Sequence, residues 1–88
     1  MQYETKEIIK LLDSDTISAL FRLYGITYDT IGIRMRMTRQ AVTYKIKHDA
    51  FKDYEREIVL QLLQQHGLEI SELILINKII NTAKNVAR

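Results

Sequence analysis

The chain has 88 residues, 47% of them hydrophobic and 27% charged, with a formal net charge of +2 at pH 7. That size allows one domain with a small core, and the composition excludes a disordered tail. With no cysteine and no proline, a disulfide framework and a thiolate zinc site are excluded and helices are left uninterrupted.

In chain order, residues 4 to 12 carry Ile8, Ile9, Leu11 and Leu12, a short apolar patch that suits either a helix or an arm packed on the body. The start, MQYETKEIIKLLD, lacks the basic residues and long apolar run of a signal peptide, and Leu73 to Ile76 is the longest unbroken apolar run. The expectation is a cytoplasmic protein with no membrane partner. Asp13, Ser14 and Asp15 are candidates to cap the helix that follows, where Ile17, Leu20, Phe21 and Tyr24 form an amphipathic stripe. Gly25 can close that helix with a positive φ, and Ile26 then tucks under the chain.

Between Thr27 and Lys47 the pattern predicts two short helices joined by a tight turn. Thr27 and Thr38 are placed to cap them. Ile31 and Met35 line one inner face, Val42 and Ile46 the other, each pair four residues apart. Met35 and Met37 read as core filler beneath the turn. Arg39, Gln40, Thr43 and Tyr44 remain on the outer side of the second helix. From Thr30 to His48 there are five basic residues, Arg34, Arg36, Arg39, Lys45 and Lys47, and no acid. The rest of the chain holds eight basic and eleven acidic residues, so a modest total hides one basic element, the footprint of a polyanion partner.

After His48 and Asp49 a break is expected, with Asp49 capping a long helix from about Ala50 to His66. Phe51, Tyr54, Ile58 and Leu62 are its main stripe, widened by Val59 and Leu63, while Asp53, Glu55 and Glu57 suit its solvated side. Tyr24 and Tyr54 are expected to pack with a wet hydroxyl. Gly67 stops the helix, and Ser71 with Glu72 opens a last one reaching to about Ala87. There Leu73, Ile76, Ile80, Ala83 and Ala87 keep a 3-4-3-4 spacing, with Ile70, Ile74, Leu75, Ile79 and Val86 broadening the apolar surface. Such a helix must be covered on more than one side. Two readings stand: a central core helix, or a two-fold dimer interface formed by Leu73, Ile76, Ile80 and Ala83.

The segment from Ile17 to Lys47 resembles the helix-turn-helix core of the Cro and phage-repressor family. The likeness lies in ISALFRLYGIT, in a small residue at the helix crossing (Gly32, where the family usually has Ala), and in TRQAV opening the second helix. Arg36 departs from it, standing in the turn where the family usually has Gly. Helical periodicity throughout and the lack of proline argue for an all-α domain of about five helices, and the resemblance places a DNA-binding core over 13–48 before a C-terminal helical hairpin over 49–88. It implies a homodimeric transcriptional regulator of a phage, prophage or bacterium on palindromic double-stranded DNA. It places Arg39, Gln40, Thr43 and Tyr44 against base edges, where Arg suits guanine and Gln adenine. Thr27, Tyr28, Arg34, Arg36, Thr38, Lys45 and Lys47 are expected on phosphates. A rival reading makes the chain a module that modulates a second regulatory protein through the last helix; another makes it an architectural nucleic-acid binder. His48 and His66 gather no further ligands and no nucleophile with a base is evident, so neither metal, cofactor nor catalysis is expected.

Overall fold

The structure is a computed structural model and describes residues 4–86. Within them lie six helices and no strand: α1 (Thr5–Ile9), α2 (Ser14–Tyr24), α3 (Tyr28–Met35), α4 (Arg39–His48), α5 (Asp53–Gln65) and α6 (Ile70–Val86). The all-α expectation is met, with one helix more than about five, because residues 5–9 are helical rather than an arm. Ala87 and the Val86 side chain, expected on the last apolar surface, lie outside what is described.

The core gathers around α2, which packs on α4, α5 and α6. Its stripe behaves as the spacing predicts: Ile17, Leu20 and Phe21 are buried and meet Leu12, Ile31, Val42, Val59 and Leu62. Tyr24 is half-buried with its hydroxyl donating to Glu72 at 2.7 Å. That bond lifts the pKa of the phenol and holds the carboxyl of Glu72 below its ordinary value.

Four helices end alike. Gly25, Arg36, Asp49 and Gly67 have positive φ, and the next amide reaches back to a carbonyl five residues earlier, as in Ile26 to Phe21 at 2.8 Å and Leu68 to Leu63 at 3.0 Å. This closes the orphan carbonyls of a helix end, and glycine does it at least strain. Gly25 and Gly67 stand where the sequence places them.

Asp49 does not cap α5. It sits in the left-handed region at φ 50 and closes α4, while its carboxylate accepts both the amide and the hydroxyl of Ser14, at 3.1 and 3.0 Å. It therefore supports the start of α2, beside Asp13, which accepts the Thr16 amide at 2.9 Å. The chain must run extended from Ala50 to seat Phe51, 5% exposed, in the core, so α5 begins only at Asp53.

At the start of α5 the Glu55 carboxylate accepts the Lys52 amide at 2.9 Å, half of a capping box. This draws Glu55 inward to 1% exposure, while Tyr54 is 60% exposed, so the acidic run is not one solvated face and Tyr54 does not join the stripe. Likewise α6 starts at Ile70, ahead of Ser71, with Glu72 accepting the Glu69 amide at 3.1 Å.

The last helix lies against α2 rather than along α5, so the expected hairpin is a connection by a tight turn. Its inner side is partly polar: Asn77 Nδ2 donates to the Leu11 carbonyl at 2.8 Å and to Thr16 Oγ1 at 3.2 Å, and Lys84 forms an ion pair with Asp15. Leu73 is fully buried in the core, which removes it from the expected dimer interface. Ile76 and Ile80 are half-buried, Ile76 packing on the core; Ala83 is exposed. Leu75 and Ile79, 57% and 54% exposed, form the outward apolar face with Ala83.

Candidate nucleic-acid interface

The two-helix unit is assembled from its caps. Thr27 Oγ1 accepts the Thr30 amide at 3.3 Å, and Thr38 Oγ1 accepts the Ala41 amide at 3.1 Å. Between them α3 ends at Arg36, with φ 57 and ψ 45, and the Met37 amide bonds back to the Gly32 carbonyl at 2.8 Å. Gly32 is required more strictly than smallness suggests. A Cβ there would lie 2.7 Å from the Met37 carbonyl oxygen, a backbone atom that cannot step aside cheaply, so even alanine strains this turn.

Val42, fully buried, and Ile46, half-buried, hold the inner side of α4 on α2 and α3, with Met35 and Met37 half-buried around them. The opposite side carries Arg39, Gln40, Thr43 and Tyr44, all exposed. Arg39, Gln40 and Thr43 line one shallow depression of about 380 Å³. The Thr43 hydroxyl donates to the Arg39 carbonyl at 2.9 Å, and the Tyr44 ring lies 4.3 Å from that of His48 at a tilt of 42°. This stacking places His48 on the same outer surface. His66 instead closes α5, its Nδ1 2.9 Å from the Leu62 carbonyl.

The residues expected on phosphates divide into several groups. Arg36, Thr38 and Lys47 are exposed on or beside the turn and α4, Thr38 with its oxygen engaged as a cap. Thr27 is exposed, and its hydroxyl is engaged with Thr30. Tyr28 is half-buried, its ring 6.2 Å from that of Phe21. Arg34 is exposed but reaches across to α5, donating to Gln65 Oε1 at 3.0 Å. Lys45 departs from its expected place. Its ammonium lies 2.9 Å from Glu55 Oε1 with the side chain only 20% exposed, so its charge is neutralised beneath α4 instead of facing outward. Burial by itself would push the carboxyl of Glu55 up, but the Lys52 amide and the Lys45 ammonium outweigh it and hold its pKa below the ordinary value.

Two participants escaped the sequence reading. Glu55 was hidden by its acidic neighbours; the signal was its position at the third residue of a helix. Arg22 lay outside the acid-free stretch because Asp29 interrupts the charge count. In space Arg22 joins Arg39, Thr27 and Tyr28 around a second depression of about 380 Å³.

Arg36 yields a stability test. Arg36→Gly relieves a left-handed non-glycine residue, a gain of about 1 kcal/mol that the freer unfolded chain partly offsets. Urea unfolding is expected to show a net rise of about 0.5 kcal/mol. A fall would mean that the Arg36 side chain holds the turn by packing.

No group of three or more His, Asp or Glu able to hold a metal assembles among the described residues, and no helix there is long and apolar enough to cross a membrane. Comparison with protein-family models, with curated proteins and with solved structures finds no match.

Proposed function

We propose that this chain is a sequence-specific, non-catalytic regulator of transcription that binds double-stranded DNA, of the kind its resemblance to Cro and phage repressors suggests. One observation carries the reading: α4 is held by Val42 and Ile46 and turns Arg39, Gln40, Thr43 and Tyr44 outward together. A helix presented in this way fits the major groove, where bidentate contacts from Arg and Gln discriminate bases. Arg36 and Lys47 flank it as phosphate contacts. A single short helix reads few base pairs. A homodimer on a palindromic operator, with half-sites about 34 Å apart, doubles that readout. The exposed face of Leu75, Ile79 and Ala83 suits this pairing, in place of the buried Leu73. The implied setting is the cytoplasm of a bacterial host, with the regulator encoded by a phage, prophage or bacterial genome.

The test is selection from a random duplex library at near-physiological salt, run beside Arg39→Ala. A two-fold symmetric motif is expected from the wild type, and the variant should lose about 1–3 kcal/mol of discrimination at one base position in each half-site. Binding without an enriched motif would reduce the reading to a phosphate-only binder. The exposed apolar face of α6 favours one other reading, a modulator that docks on a second regulatory protein. Such a protein would bind no duplex alone yet shift its partner's footprint.

A further inference from the structure

We propose that the depression between Arg22 and Arg39 is a phosphate seat which, on the regulator reading just given, receives a backbone phosphate of the bound duplex. Arg22 stands on the last turn of α2, outside the two-helix unit, and Arg39 opens α4. Both side chains are exposed and line the same concavity, along with Gly25, Thr27 and Tyr28 at the entry to α3. No carboxylate lines it; Asp29, the nearest acid in sequence, is not part of its wall. Neither guanidinium has a hydrogen bond or ion pair among the described residues, in contrast to Arg34 and Arg56, which are engaged with Gln65 and with Asp49 and Asp53.

Two guanidinium-bearing side chains line one concavity, with Phe21 and Ile26 as apolar wall, so its potential favours an anion. The planar fork of arginine matches phosphate oxygens bidentately. At the same place Thr27 caps only the Thr30 amide, which leaves the first amides of α3, those of Tyr28 and Asp29, free to donate. Arg39 also borders the neighbouring depression with Gln40 and Thr43. A duplex presents a phosphate and a base edge side by side, and these two adjoining depressions offer one position for each. A phosphate fixed by Arg22 therefore sets how α4 enters the groove, making Arg22 a backbone contact that carries no base preference of its own.

The experiment measures duplex affinity against salt for wild type, Arg22→Ala, Arg22→Lys and Lys10→Ala, on preferred and scrambled sequences. Lys10 is an exposed cation on the segment after α1, and it controls for simple loss of charge. Arg22→Ala is expected to weaken both sequences alike by about tenfold and to lower the salt slope by about 1, with the preferred motif unchanged. Arg22→Lys should recover part of the affinity, and Lys10→Ala should leave affinity and slope near wild type. Equal behaviour of Arg22→Ala and Lys10→Ala would overturn the phosphate seat and leave the regulator reading standing. In parallel, amide chemical shifts are followed on titration with inorganic phosphate. Shifts at Tyr28 and Asp29 in the wild type that vanish in Arg22→Ala support the seat even if no duplex binds, in which case the regulator reading alone fails. Absence of such shifts together with absence of duplex binding overturns both.

Discussion

Leu73→Ala is expected to destabilise the isolated chain by about 2–5 kcal/mol, whereas Leu75→Asp two residues away should leave it within about 0.5 kcal/mol of wild type. Leu73 is fully buried against the core, so truncating it removes apolar contacts and leaves a cavity that α2 and α6 can only partly close. A chain of 88 residues holds about 4–13 kcal/mol in total, so this one change consumes a large part of it. Leu75 is already 57% exposed and contributes little to the monomer. Its loss should appear in the oligomeric state: sedimentation at increasing concentration is expected to give a dimer for the wild type and a monomer for Leu75→Asp. Unfolding is followed at low concentration, where association adds no stability. If Leu73→Ala proved mild in stability but abolished the dimer, the two faces of α6 would have to be exchanged.

That helix marks where sequence reading stops. Its apolar residues surround the axis, so periodicity cannot say which side meets the body. The decision comes from Asn77, whose amide reaches back to Leu11 and Thr16, 66 and 61 residues away in the chain, and from the Lys84 ion pair with Asp15. Local signals fared better for a physical reason. Thr27, Thr38 and Asp13 each cap an amide three residues on, and Gly25 and Gly67 answer a backbone demand at their own position. Such interactions are complete within one turn and can be read from neighbours.

Asp49 shows the opposite case. Its side chain serves Ser14, 35 residues earlier, and nothing around Asp49 announces that partner. The outer face of α4 was legible because Val42 and Ile46, four apart, fix the inner one. Arg22 was not, because it reaches the same surface only through the packing of α2 on α4. The left-handed conformation of Arg36 was not legible, since arginine carries no local preference for positive φ.

Lys45→Met is expected to cost about 3 kcal/mol at pH 7, a larger loss than an exposed phosphate-binding lysine could produce, and the loss should shrink in acid. Methionine keeps the stem and removes the charge, leaving the carboxylate of Glu55, 1% exposed, with the Lys52 amide as its remaining partner. In the wild type the pKa of Glu55 lies below its reference value of 4.5, so its contribution is present above that value and is lost as the pH falls through the lower folded-state value. In the variant the lowering by Lys45 is gone while burial and the Lys52 amide remain, so the folded-state pKa moves up and the stability that ionised Glu55 contributes shrinks. Below the folded-state value of the wild type Glu55 is protonated in both proteins, and the difference that its charge makes between them is gone. The gap between the two proteins in urea unfolding should therefore be widest near neutrality and close on acidification. A gap independent of pH would assign the contribution of Lys45 to its aliphatic stem rather than to the ion pair. The consequence reaches the proposed interface, because Lys45 and Glu55 tie α4 to α5 and help fix the direction in which Arg39 and Gln40 point. Lys47→Ala, which removes an exposed charge alone, should lower the salt slope of duplex binding by about 1 without altering the unfolding midpoint, whereas Lys45→Met should blur base preference as the helix loses its footing.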